Sequence, residues 1–192
     1  MAGIALKQRK TLWRWLLYAT LLLCLVPAAT ADSAERRMTS VGVRIFPSVL
    51  AASFKLNSQP QGSPLVIYVV YKDDADHARA VSERLAQMGP IKEHPLQPRE
   101  IPASALSKLD GPAPFAILVS ENVGRELPAV IDYSQKNDVL SFSPFSGDVE
   151  KGVLTGIIVS DRVLPYINLR TLAGMSFTFK PFFLKVAAAY AP

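Results

Sequence analysis

Residues 64–89 read PLVIYVVYKDDADHARAVSERLAQMG, and the fold is decided here. Leu65 to Tyr71 is an unbroken apolar run rich in β-branched and aromatic residues, the pattern of a strand covered on both faces. Asp73 and Asp74 follow, with side-chain oxygens suited to the unpaired amides of a helix start. Ala78, Val81, Leu85 and Met88 then recur at steps of three, four and three and lay one apolar stripe along a helix. Arg79 and Glu83 sit one turn apart on the wet face, and Gly89 with Pro90 stops the helix. Strand, helix and stop make a βα unit of a layered α/β domain.

Downstream, residues 91–96 are expected to return as a second strand, after a crossover long enough for parallel pairing. The stretch 95–102 carries three prolines and reads as irregular, and 103–109 as a short helix ended by Gly111. FAILV at 115–119 repeats the buried-strand signature, and Ser120, Glu121 and Asn122 stand where that strand hands over to a helix. Leu127, Val130 and Ile131 give this helix its stripe, with Pro128 tolerated in the first turn. Residues 139–142 form a short strand, and a turn-rich segment follows from Ser143. The runs 153–160 and 163–169 are separated only by Asp161 and Arg162, a link that permits only antiparallel pairing. A last helix opens at Lys180 and Pro181, with Phe182, Phe183, Val186 and Tyr190 along one face. Upstream, 55–63 is a polar loop. Residues 39–50 carry Ile45, Phe46, Val49 and Leu50 at helical spacing, although Val41, Val43 and Ile45 also alternate as in a strand. A helix is expected there, beginning near Pro47 or bending at it. The sum is an α/β sandwich with a mostly parallel sheet flanked by helices and an antiparallel C-terminal hairpin.

The amino-terminal residues stand apart from this pattern. Lys7, Arg9, Lys10 and Arg14 form a basic region, 15–26 an apolar run of twelve, and Ala29, Thr30 and Ala31 a small-residue site. This is the pattern of a secretory signal peptide spanning 1–31, cleaved between Ala31 and Asp32. The apolar run falls short of the roughly 20 residues that cross a bilayer. Leucines precede Cys24, which argues against a lipid anchor. The remaining segment, 32–192, has the size of one domain. Of the 21 Lys and Arg, the signal takes four, leaving 17 against 16 Asp and Glu. So even a balance gives no reason to expect nucleic acid or an anionic membrane as partner. The only cysteine, Cys24, goes with the signal, and with it any disulfide, thiolate ligand or cysteine nucleophile.

The search for chemistry yields little. Two histidines, His77 and His94, read as surface residues and not as a metal site. Neither a G-x-S-x-G elbow, nor a P-loop, nor a G-x-G-x-x-G occurs. Asp73, Asp74 and Asp76 are better explained as acids in the first turn of a helix than as a cation site. We therefore expect no catalytic residue, no cofactor and no metal. A ligand crevice is placed by topology alone, beyond the carboxyl ends of the strands. It would expose Lys72, Asp73, Ser120, Glu121, Asn122, Ser143 and Ser146.

Several stretches carry a resemblance: GVLTGII at 152–158, PYIN at 165–168, LAGM at 172–175, FTFKPFFLKVA at 177–187, and FAILVS at 115–120. In this order the chain, from about residue 41 to 190, resembles the YfiR and HmsC-like family of exported bacterial proteins. The resemblance implies a periplasmic α/β sandwich that acts by binding, with members that restrain an inner-membrane diguanylate cyclase and so affect biofilm formation. The chain departs from the family in lacking cysteines after residue 31 and the Trp-Pro that often follows the first helix. No catalytic residue is implied, and Asn168 is given a structural role. The partner expected is the outer domain of an inner-membrane diguanylate cyclase or sensor kinase, docked on Phe179, Phe182, Phe183 and Tyr190, some of which should be core. Self-association into a homodimer is left open. The alternative is a periplasmic small-molecule receptor of the solute-binding kind.

Overall fold

A computed structural model describes residues 26–191, with side chains from residue 33 onward. The chain comprises two compact units, Met1–Arg36 and Arg37–Pro192. Of the first, only 26–36 are described, and they are helical. The basic and apolar stretches of the expected signal, Cys24 included, lie outside the described residues.

The opening helix α1 (Val26–Ala52) runs through Pro47 without a break. A proline at an interior position costs about 3 kcal/mol. Around it Phe46, Val49 and Leu50 are fully buried, and that burial offsets the cost. The helix therefore extends well upstream of the expected start. Gly42 explains how closely it packs: a Cβ there would stand 2.7 Å from Pro144 Cβ.

Among the described residues, seven strands form one sheet in the order β2-β1-β3-β4-β5-β6-β7. The central pair is β1 (Leu65–Tyr71) and β3 (Ala116–Val119), parallel with Ile67 opposite Ala116. β2 (Leu96–Pro102) pairs with the other side of β1, parallel and in register from Leu65–Leu96 to Tyr71–Pro102. β4 (Leu140–Ser143) and β5 (Thr155–Val159) continue the parallel set. β6 (Val163–Asn168) returns antiparallel to β5, and a three-residue β7 (Ala188–Tyr190) closes the edge parallel to β6. The fold class read from the sequence, a mostly parallel sheet with an antiparallel hairpin, is the one observed.

Helices cover both faces, and strand alternation divides the core accordingly. Leu65, Ile67 and Val69 of β1, with Ala116 and Leu118 of β3, meet α1 and α2 (Ala75–Gln87), whose Ala78, Val81 and Leu85 are buried as the stripe requires. Tyr68, Val70, Ile117 and Val119 face the other way, toward α3 (Leu127–Lys136) and the 3-10 turn Ala103–Lys108. Short helices α4 (Asp148–Lys151), α5 (Leu169–Ala173) and α6 (Pro181–Val186) finish the chain.

Two expectations are corrected. The second strand is not at 91–96, where Ile91 and His94 only bridge each other across a turn, but at Leu96–Pro102, the stretch read as irregular. An edge strand tolerates prolines because half of its amides pair with nothing, and β2 is such a strand. The last helix stops at Val186 and does not carry Tyr190, which lies in β7. Ala187 is already extended (φ −73, ψ 141), because the edge of β6 offers ladder hydrogen bonds that a free helix end lacks.

Candidate functional site

The strand order reverses between β1 and β3, which run parallel while their connections leave in opposite directions. A crevice opens at such a switch point, beyond the carboxyl ends of the strands. Lys72, Asp73, Ser120, Glu121 and Asn122 follow β1 and β3 there, yet most are occupied by the protein itself.

Glu121, just past β3, turns its carboxylate toward the start of α2. Its Oε1 accepts hydrogen bonds from the backbone N–H groups of Lys72, of Asp73 at 2.6 Å and of Asp74 at 3.1 Å. Three amides at the positive end of a helix form a seat for an anion, and here the seat holds the chain's own carboxylate. Asp74 is the N-cap, accepting from the His77 amide at 2.8 Å. Lys72 and Asp73 form an exposed ion pair at 2.7 Å, and that bond raises the Lys72 ammonium above its ordinary pKa.

The neighbouring hydroxyls are spent on structure. Ser120 is buried, with Oγ donating to the Val70 carbonyl at 3.0 Å, while its own carbonyl accepts from Thr39 Oγ1 at 2.7 Å. Asn122 accepts from the Gly124 amide at 3.0 Å and shapes the loop into α3. Ser143 is fully buried and donates to Asp148 Oδ2 at 2.7 Å. Ser146 alone faces a cavity, one of about 210 Å³ lined also by Met38, Phe145, Ile157 and Tyr166. Lys72, Asp73 and Glu121 are thus brought together, whereas Ser143 and Ser146 sit apart from them by β4.

The carboxylate of Asp148 has no counterpart among the residues read from the sequence. It is 4 % exposed, and burial raises its pKa against the lowering effects of Ser143 and of Lys151, whose Nζ stands 3.6 Å away. Nothing in a D-x-E-K string distinguishes a buried acid from a surface one. His94 corrects another expectation: it is 6 % exposed, not on the surface, and its Nδ1 lies 2.9 Å from the Ser63 carbonyl. That bond anchors the turn before β2. Among the described residues no group of three or more His, Cys, Asp and Glu is placed to hold a metal ion.

The four aromatic residues expected to dock a partner divide. Phe179 and Phe183 belong to the core and stack with ring centroids 4.8 Å apart. Phe182 is 60 % exposed, and Tyr190 is half-buried on β7. Leu184 and Val186 of α6 are exposed as well.

No family model matches the chain, and no curated protein is similar to it. Among solved structures, it is similar to an ABC domain from Streptococcus pneumoniae crystallised in complex with L-Trp, at 15 % identity and a TM-score of 0.55. The match covers 79 % of this chain and 59 % of that one. This is a likeness of fold. The chain spans less than two thirds of that neighbour's length.

Proposed function

We propose that this chain is an exported, non-catalytic regulator of the kind its sequence resembles, docking through α6 on the outer domain of an inner-membrane signalling protein. The observation that carries the reading is the surface of α6. A helix of six residues leaves Phe182, Leu184 and Val186 in water while Phe183 anchors it to the core. Three large apolar side chains on so short an element favour a site that a partner covers. A diguanylate cyclase is the first candidate partner and a sensor kinase the second, on the sequence resemblance. Such a regulator need only favour one state of its partner, and a shift from 1:99 to 99:1 takes about 5.5 kcal/mol of differential binding.

The test is to compare wild type with Phe182→Asp and Val186→Asp in the producing cell, following cyclic di-guanylate and periplasmic cross-links. Loss of a membrane cross-link together with altered cyclic di-guanylate, in a domain that stays folded, supports the reading. Unchanged cyclic di-guanylate and no captured membrane protein refute it. Export is tested separately by the mass of the periplasmic chain, expected to begin at Asp32.

A second reading, a receptor for a small solute, is supported by the fold shared with a domain that was crystallised with an amino acid. A large saturable thermal shift with one solute, in the absence of any membrane partner, would put it first.

A further inference from the structure

At the amino end of the parallel strands, opposite the crevice, lies a cavity of about 290 Å³. Gln135 lies in the last turn of α3, Glu150 and Lys151 in α4, Arg170 and Thr171 in α5, and Asn168 and Tyr190 end β6 and β7, so five separate elements supply its walls. Its frame is rigid. Asn168, 3 % exposed, donates Nδ2 to the Val149 carbonyl at 2.6 Å and accepts from the Thr171 amide at 2.9 Å. Thr171 Oγ1 in turn donates to the Gly152 carbonyl at 3.1 Å. These bonds staple α4 to α5. Gly152 has φ +126, and a Cβ there would stand 3.2 Å from Ile131 Cγ2, so that part of the wall stays bare.

Three of the functional groups around this frame are unspent. Among the described residues, the Arg170 guanidinium, the Gln135 amide and the Tyr190 hydroxyl have no hydrogen-bond partner. Lys151 makes only its 3.6 Å contact with Asp148 and is 65 % exposed. Glu150 adds one carboxylate to the same wall, and that carboxylate also accepts from the Tyr166 hydroxyl. The lining therefore carries both signs of charge. A simple anion would meet Glu150, and a simple amine would meet Arg170 and Lys151. A ligand with both a carboxylate and an ammonium satisfies all three, and a guanidinium can hold a carboxylate through two parallel hydrogen bonds. The volume suits it: at about 30 Å³ per water, the cavity corresponds to roughly ten heavy atoms.

We propose that this cavity binds a small zwitterion of the free amino-acid class, its carboxylate held by Arg170 with Lys151 and its ammonium by Glu150. The site is independent of the docking helix. It also differs in place from the carboxyl-end crevice where a solute-binding reading would put a ligand.

Calorimetric titration of the exported chain with free L-amino acids tests this, with acetate and methylamine as single-charge controls. Arg170→Ala and Glu121→Ala serve as variants of the two ends of the sheet. Arg170 is exposed and makes no bond, so its removal leaves the fold intact, which circular dichroism checks. The expected result is saturable binding of at least one amino acid and of neither control. Affinity should fall about tenfold or more in Arg170→Ala, the size of one charge-assisted bond, and stay within twofold in Glu121→Ala. No saturable binding of any amino acid at millimolar concentration overturns the proposal. So does an affinity that Arg170→Ala leaves unchanged, whether or not Glu121→Ala abolishes it.

Discussion

The carboxylate of Glu121 stands 2.6 Å from the backbone nitrogen of Asp73, although 48 residues separate the two. It thereby ties the exit of β3 to the entry of α2 across the switch point. Glu121→Ala leaves three amides at the helix start without their common acceptor, and loss of a cap of this kind costs about 1 kcal/mol. Glu121→Gln keeps an acceptor oxygen and should recover most of that. Urea denaturation of the three proteins gives the comparison. Equal midpoints for Ala and wild type would mean that water replaces the carboxylate without loss.

Asp148 makes stability depend on pH in an unusual direction. Burial raises its pKa in the folded protein, so the folded state holds the proton more tightly than the unfolded chain, where the value is about 3.9. Its favourable contribution is full below that unfolded value and is lost as pH rises through the folded one. Asp148→Asn keeps an oxygen for the Ser143 hydroxyl and removes the titration. Measured by urea midpoints between pH 4 and 7, the variant should gain on wild type as pH rises. A gain by wild type instead would show that Ser143 and Lys151 outweigh burial.

Phe179 and Phe182 sit three residues apart and should respond oppositely to the same change. Phe179→Ala empties a packed core site and should destabilise by about 3–5 kcal/mol. Phe182→Ala removes an exposed ring and should stay within about 0.5 kcal/mol. Paired thermal melts decide this.

Gly156 in β5 is predicted to accept no side chain. A Cβ there would overlap the Ser143 carbonyl oxygen of β4 and stand 2.7 Å from Val149 Cγ2. One obstacle is backbone and cannot rotate away, so Gly156→Ala should part β4 from β5. The expected outcome is a lower melting temperature and faster hydrogen exchange at Thr155 and Ile157, while the β1–β2 amides keep their protection.

How much of this was legible depended on whether the signal was local. β1 and α2 announced themselves, because a run buried on both faces and a stripe at helical spacing are properties of consecutive residues. The hairpin of β5 and β6 was legible for the same reason, since so short a link between strands leaves one geometry. β2 was missed because edge position belongs to the assembled sheet, and prolines that exclude a central strand are harmless there. β7 was missed because three residues, Ala-Ala-Tyr, carry no period. The strand order marks the switch point beside which Glu121 stands, but the engagement of its carboxylate with the α2 amides depends on a contact between distant segments. Asp148 and the partners of Asn168 were hidden likewise.

The prolines of β2 also govern how this sheet ends. Leu65 N–H bonds to the Pro95 carbonyl at 2.8 Å, and in a parallel ladder this aims the amides of Gln97, Arg99 and Ile101 at β1. The even positions then face outward, and two of them, Pro98 and Pro102, have no amide to offer. A foreign strand approaching that margin meets missing donors where it needs a continuous row, so the fold cannot be templated into a longer sheet from that side.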